Sequence, residues 1–317
     1  MVKVSIVITT YNRLPLLKRA IASALEQTWP CEVVIADDGS SDGTEDYVRS
    51  LGDRVVYHRN CVNLGHSATV NAGVRVAQGD WIKPIDDDDY LAPDCIQEMM
   101  RSLAICPQAA IFSCQAIQVD ANEAEISRTH LASNTKAFYV PQEDIHYGML
   151  MEMLPFGTPV QVAFRRDAFL QSGGWNSEFD GNCDDIESWI KIAQYGDAVF
   201  LNQYLAYRTI WPGNYSQQLS LQQRLQKNIV IKEKIYPLVN DKYRDKLPKI
   251  ADIHAFLKLH WSLVGFKHHK FLEALEIGYP VLFSPGVWLS LIRTLYFRKF
   301  KSESSSVRKV GLSYETA

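Results

Sequence analysis

Four consecutive carboxylates, Asp86-Asp87-Asp88-Asp89, stand between an apolar run and Tyr90-Leu91. Such neighbours repel, and leaving them without a counter-charge costs stability. A hard dication removes that cost and can bridge two phosphates, because Mg²⁺ or Mn²⁺ takes one or two carboxylates together with phosphate oxygens and water. Alternate residues of an extended segment share a face, so Asp86 and Asp88 are expected to converge while Asp87 points away. A second cluster, Asp37-Asp38-Gly39-Ser40, offers a carboxylate to the ring N–H of a base or to the hydroxyls of a ribose, and Gly39 permits close backbone approach. Each cluster has a plainer alternative. The first can be a solvated acidic turn ahead of a helix beginning near Pro93, the second a turn followed by a helix cap.

The elements that must hold these groups are legible in the surrounding pattern. Val2 to Thr10 (VKVSIVITT) is rich in β-branched residues and reads as a buried strand. Leu14, Leu17, Ile21 and Leu25 make one helical face over 14–27, with Pro15 tolerated in the first turn. Further strands are expected at 32–36, 54–58 and 81–85, with helices to about residue 51, started by Ser41 or Asp42, and at 67–77. This alternation predicts parallel strands joined by crossover helices, a Rossmann-like half over 1–108. Ligands of such sheets bind beyond the carboxyl ends of the strands, where the polar clusters 9–12, 37–40 and 86–89 fall. Over 109–215 the pattern is mixed, with a strand at 160–165, a Gly173-Gly174 turn and a helix at 185–195. From 216 to 317 the chain reads as a helical C-terminal extension, with blocks at 217–236, 251–278 and 285–300.

Composition narrows the function classes. The chain has 317 residues, 47% hydrophobic and 22% charged, which suits one large α/β domain with an appendage. A net charge of −3 gives no basic field for nucleic acid. Six scattered cysteines without a CxxC pair read as small apolar residues of a reducing compartment, neither a disulfide framework nor a zinc site. No signal-peptide pattern opens the chain and no charge-free apolar window of about 18 residues occurs, so a cytoplasmic protein is expected. Residues 281–300 combine apolar and aromatic side chains with Arg293, Arg298 and Lys299. Such a helix suits peripheral contact with the inner face of a membrane, or equally packing on the catalytic domain or a second subunit in a homo-oligomer.

The order Ser5-Ile6-Val7-Ile8-Thr9-Thr10-Tyr11-Asn12, Asp37-Asp38-Gly39-Ser40-Ser41-Asp42, Asn63-Leu64-Gly65 with Asn71-Ala72-Gly73, and Asp86 to Asp89 resembles family 2 glycosyltransferases across roughly residues 1–210. The resemblance implies an α/β GT-A fold, a nucleotide-diphosphate-sugar donor, a glycan or lipid-linked acceptor, and inversion at the anomeric carbon. It further implies a nucleotide site of Thr9, Tyr11, Asn12, Asp38, Gly39, Asn71, Asp86 and Asp87, with Asp38 on the base. Asp86 and Asp88 would bind Mn²⁺ or Mg²⁺, Asp88 the more directly. Gly173-Gly174-Trp175 and Asp184-Asp185-Ile186-Glu187-Ser188-Trp189 resemble the family's Gly-Gly-aromatic loop and acidic pair. That match makes Asp185, or failing it Asp184, the base that takes the acceptor's proton, and it sets Gly174 and Trp175 beside the sugars, with Trp189 in the core. Asp184 and Asp185 can alternatively serve only a helix N-terminus.

Two departures stand out. Val70 occupies the place of the family's arginine before Asn71, so a donor contact is missing or comes from Lys83 or His66, the latter otherwise a loop residue. Ile210-Trp211 replaces a histidine that contacts metal in some relatives, ahead of Asn214-Tyr215-Ser216. A dehydrogenase needs a glycine-rich turn after the first strand, and Thr9-Thr10-Tyr11-Asn12-Arg13 has none. A sugar nucleotidyltransferase would want a glycine-rich, basic phosphate loop there, also missing. The remaining rival is a nucleotide-sugar-binding protein without turnover.

Overall fold

The apolar runs of the first hundred residues become four parallel strands with helices between them. The computed structural model describes residues 2–130, 135–154, 156–181, 183–211, 219–279, 281–289 and 307–312. In chain order the first elements are β1 (Val4–Thr10), α1 (Leu14–Leu25), β2 (Glu32–Asp37), α2 (Thr44–Ser50), β3 (Val56–Arg59), α3 (His66–Val76) and β4 (Trp81–Asp86). β1 pairs in parallel with β2 and β4, and β2 with β3. Every residue of β1 is buried, which explains its unbroken apolar and β-branched run. Gly73 lets α3 lie against this sheet, since a Cβ there would meet Val7 and Ala36 at 2.5 and 3.0 Å.

The mixed pattern beyond residue 108 has a topological cause. β5 (Tyr90–Leu91) and α4 (Cys95–Ile105) are followed by β6 (Ala109–Val119), β7 (Glu125–Arg128), β8 (Ala137–Val140), α5 (Gln142–Leu150), β9 (Val162–Arg165), α6 (Arg166–Gln171), α7 (Asp184–Ile192) and β10 (Asp197–Thr209). β9 runs antiparallel to both β4 and β6, and β10 runs parallel to β6. The sheet order is β11-β8-β10-β6-β9-β4-β1-β2-β3, where β11 is Val310–Gly311. The expected mixed central sheet is therefore present. β10 carries register shifts against β6 at Asp197/Ala198, Leu201/Tyr204 and Tyr204/Ala206. Its upper end then meets β5, with Tyr90 and Tyr207 stacked at 4.5 Å.

The chain divides into two compact units: Met1–Ile145, Leu154–Trp211 and Lys309–Ala317 form the first, His146–Met153 and Pro212–Arg308 the second. Within the first, one core packs Ile6, Ile8, Ile35 and Phe112 of the sheet with Leu17 of α1 and Met99 of α4. Each such burial stabilises by about 1.5–3 kcal/mol. The second unit contains α8 (Leu221–Ile235), α9 (Ile250–Lys267) and α10 (Phe271–Gly278). Ser220 and Gln223 form a capping box at the start of α8. α9 and α10 approach closely through small residues, Ser262 Oγ donating to the Ala274 carbonyl at 2.8 Å. The buried Lys232 ammonium donates to the Met149 and Leu150 carbonyls and pairs with Glu152 at 3.2 Å, a cation at the end of α5. Asn214-Tyr215-Ser216 and residues 290–300 lie outside the described residues.

Candidate active site

β4 ends at Asp86, and the chain turns there, Asp89 N donating to Asp86 O at 3.0 Å. Asp86, Asp88 and Asp89 consequently present oxygens within 4.8 Å of one another. Asp87 faces the other way, accepting from Thr10 Oγ1 at 2.8 Å and from the Arg13 guanidinium at 3.2 Å. Asp86 and Asp88 thus converge as expected, whereas the arrival of Asp89 was not foreseen. Strand alternation applies only to extended chain, and a turn brings residues three apart together.

Thr209 N, at the end of β10, donates to Asp89 Oδ1 at 2.8 Å. Trp211 Nε1 donates to Asp88 Oδ2 at 2.9 Å, with Arg13 3.7 Å from the same oxygen and 5.3 Å above the indole ring. Trp211 therefore orients a carboxylate, and its indole N–H, a donor only, adds no ligand of its own. Burial, then the neighbouring carboxylates, hold Asp88 above the usual carboxylate range and Asp89 well above it. Burial likewise pushes Asp87 up to about 7. Three convergent oxygen donors whose charges oppose one another fit a hard dication.

His66 is neither a loop residue nor unpaired. It opens α3, its Nε2 lies 3.0 Å from Asp86 Oδ1 and its Nδ1 3.0 Å from Asp184 Oδ2. Thr9 Oγ1 donates to the same Asp86 oxygen at 3.3 Å. Loss of water lowers the imidazole's proton affinity, but the two carboxylates outweigh it and hold His66 well above its ordinary value. Asp86 is pushed up by burial and pulled further down by His66, ending below the carboxylate range. Lys83 plays no part here. Its fully buried ammonium donates to the Pro159, Val160 and Val162 carbonyls, so it knits strands together beneath the site.

Several residues assigned to the nucleotide spend their polar atoms on loop structure. Asp38 accepts from Asn60 Nδ2 at 2.9 Å, Leu64 N at 2.8 Å and Gly65 N at 3.0 Å, and is buried. Its carboxylate shapes the 60–65 loop. Asn12, left-handed at φ 52, accepts from Ser41 N at 2.7 Å while its own N–H donates to Ser40 Oγ at 2.9 Å. Gly39 adopts φ 82, and a Cβ there would come within 3.2–3.4 Å of the 60–63 backbone. Asp42 accepts from both Leu14 N and Thr44 N, serving the starts of α1 and α2. Tyr11 is 44% exposed at the mouth of these loops, an aromatic face open to a ligand.

On the other side Asn71, expected at the nucleotide, instead spends both amide atoms on residue 175, donating to its carbonyl and accepting from its N–H, both at 2.9 Å. Gly174 at φ 70 has room for no Cβ against the Asn71 amide. Trp175 was expected beside the sugars. Instead it is 3% exposed, edge-on to Trp189 at 5.8 Å and to His66 at 5.1 Å, so its contribution is packing under the imidazole. Trp189 is core, as expected. Cys183, left-handed at φ 72, turns the chain into α7, where Asp184 faces His66. Asp185 is half-buried, and burial followed by the Asp184 charge raises its pKa to about 6.

Sequence reasoning missed Arg13 and Arg19 as well. Arg19 stacks over Tyr90 at 4.5 Å and donates to the Asp88 carbonyl and Thr209 Oγ1. Arg13 was discoverable, since it immediately follows Asn12 at a strand end; Arg19 sits mid-helix and carries no local signal.

The chain matches the family model described as glycosyl transferase family 2 over residues 5–173. The succinoglycan biosynthesis protein ExoO of Rhizobium meliloti is 35% identical over 134 residues, 39% of this chain and 38% of that protein. The chain thus spans well under half the length of that relative. The glucosyl-dolichyl phosphate glucuronosyltransferase of Haloferax volcanii is 25% identical over 299 residues, covering 83% of this chain and 94% of the relative. Among solved structures, S. aureus TarS 1-349 with UDP-GlcNAc superposes with a TM-score of 0.61 at 16% identity, over 92% of this chain and 79% of that one. Mannosyltransferase PcManGT from Pyrobaculum calidifontis, with GDP-Man and Mn²⁺, gives 0.56 at 19% identity over 95% and 82%. These likenesses establish the fold as GT-A.

Replacing Asp38 by Ala leaves three donors without their acceptor. Urea denaturation of the nucleotide-free protein is expected to show a loss of about 1–3 kcal/mol. Unchanged stability would mean that Asp38 serves a ligand alone.

Proposed function

The chain belongs to glycosyl transferase family 2, and from that premise we propose that it is a glycosyltransferase using nucleotide-sugar donors, carrying out an inverting, metal-assisted transfer to an acceptor hydroxyl with Asp185 as base. The observation that carries this reading is the meeting, through His66, of the carboxylates ending β4 with the Asp184-Asp185 pair starting α7. Asp86 and Asp88 would hold Mn²⁺ or Mg²⁺, with Asp89 adding a third oxygen. Bound there, the ion would stabilise negative charge on the departing diphosphate. Tyr11 offers a face for the base of the nucleotide, while the Asn12–Ser40 and Asp38–Gly65 bonds hold the loops around it.

Direct displacement needs one group that takes the acceptor's proton as its oxygen attacks the face opposite the leaving group. Asp185 suits that work. A carboxyl raised to about 6 is ionised at neutral pH yet basic enough to accept a proton. Lowering pH through about 6 protonates it, so kcat/KM should fall about tenfold per pH unit on that limb and be flat just above it. Asp185→Asn should cut turnover by about 10²–10⁴-fold while nucleotide still raises the melting temperature. Retained turnover in that variant moves the role to Asp184. No turnover by the wild type on any nucleotide sugar, with tight nucleotide binding, makes the chain a binding protein.

The metal assignment is checked by thermal shift. UDP or GDP should stabilise the protein with Mn²⁺ or Mg²⁺ present and lose that effect in EDTA. Equal stabilisation with and without the ion counts against Asp86 and Asp88 as its ligands.

A lipid-linked glycan at the cytoplasmic face of a membrane is the proposed acceptor. The relative from Haloferax volcanii carries dolichyl phosphate in its name. In the second unit Leu272, Tyr279 and Phe283 are 85%, 72% and 82% exposed, beside the basic run Lys267-His268-His269-Lys270. No described helix is long and apolar enough to cross a membrane, so the proposed contact is peripheral. Of the 281–300 segment only 281–289 lies among the described residues. Vesicles containing phosphatidylglycerol should sediment the protein where phosphatidylcholine vesicles do not, and Leu272→Glu with Phe283→Glu should abolish the effect. Concentration-dependent dimerisation abolished by the same changes would assign the face to a second copy.

A further inference from the structure

We propose that His66 is a positioning residue that couples the donor side of the site to its base side. This rests on reading Asp86 and Asp88 as metal ligands and Asp185 as the base. The first two turns of α3 hold residues 175, 180 and 184. Ser67 N donates to Asp180 Oδ1 at 2.9 Å, Asn71 clamps residue 175 through both its amide atoms, and His66 Nδ1 meets Asp184 at 3.0 Å. Gly65, just before the helix, adopts φ 92, and a Cβ there would strike the Asp180 carboxylate. Of His66, Ser67 and Asn71, only His66 also reaches the acidic turn, its Nε2 lying 3.0 Å from Asp86 Oδ1.

Both ring nitrogens lie at hydrogen-bonding distance from a carboxylate oxygen, so one ring bridges the two acids. The ring is planar and rigid, and Trp175 packs edge-on against it at 84°. Its position is thereby set by packing as well as by charge. On the donor side, His66 and Thr9 both bond one oxygen of Asp86, Oδ1, and so fix the carboxylate that would hold the ion. On the base side the same ring pins Asp184, and the direction of Asp185 follows from its neighbour in the first turn of α7. One imidazole therefore sets the alignment of two groups supplied by segments about a hundred residues apart in sequence. Misalignment of either by about an ångström is expensive in rate.

The test compares His66→Ala and His66→Gln with Asn71→Ala, which loosens the same segment without touching Asp86. The Mn²⁺ concentration giving half the maximal thermal shift with UDP, and in parallel with GDP, is measured for each, together with kcat and donor KM at saturating Mn²⁺. Both His66 variants should need about 10–100-fold more Mn²⁺ and lose kcat more than donor KM. Asn71→Ala should melt earlier with its Mn²⁺ midpoint unmoved. Wild-type Mn²⁺ midpoints and kcat in the His66 variants overturn the proposal. So does an equal shift of midpoint in Asn71→Ala, which would reduce His66 to holding the fold, and so does a wild type indifferent to Mn²⁺. Should His66→Ala fail to fold, His66→Gln decides. A wild type without turnover sinks the transferase reading instead, and the Mn²⁺ midpoints still judge His66.

Discussion

Like charge crowded at the end of one strand is the constraint that the surrounding residues answer. Two carboxylates about 4 Å apart repel by about 4 kcal/mol where water shields them only partly, and four follow one another from Asp86 to Asp89. The chain disperses that repulsion by turning at Asp86 and giving each carboxylate a different donor. Asp86 takes His66 and Thr9, Asp87 takes Thr10 and Arg13, Asp88 takes Trp211, and Asp89 takes the backbone of Thr209. Those donors come from the end of β1, the start of α3 and the end of β10. The acidic turn thus joins parts of the sheet that share no hairpin, and it still keeps three oxygens close enough to share one cation.

A second set of acidic side chains does the opposite work. Asp37, Asp38 and Asp42 face N–H and O–H groups, and their charge is absorbed by loop backbone. Asp37 accepts from Ser40 N and from Tyr57 Oη, Asp38 from Leu64 N and Gly65 N, and Asp42 from Leu14 N. Carboxylates bonded to backbone N–H groups hold loops in one shape without needing a metal. The chain therefore separates acids that organise backbone from acids left to seek a cation.

That division explains what could be read beforehand. Three of the four parallel strands of the first half, β1, β2 and β4, are almost wholly buried, so their apolar runs were unmistakable, and the clusters at their ends followed from the geometry of such sheets. β9 was read as a strand over 160–165 without its antiparallel direction, and β10, a long irregular strand, was not read at all. Asp38 and Asp42 look alike in sequence to Asp86 and Asp88; only the donors around them, brought in from residues 14 to 65, show that they are already satisfied. His66 was misjudged for the same reason. Both its partners are distant in the chain, Asp86 by 20 residues and Asp184 by 118. Trp175 sits in the loop expected to meet sugars, but its burial depends on Trp189 and His66, which no local pattern reveals.

The irregular course of β10 has a structural consequence. Side chains of a strand alternate faces, and each extra unpaired residue inverts the alternation beyond it. The shifts at Leu201/Tyr204 and Tyr204/Ala206 precede Thr209 and Trp211, so they set the phase in which those two residues arrive above the acidic turn. β10 behaves like a screw thread with a chosen offset. Lengthening or shortening it by a single residue upstream would carry the indole to the far side of the sheet, even with every amino acid of the site itself left in place.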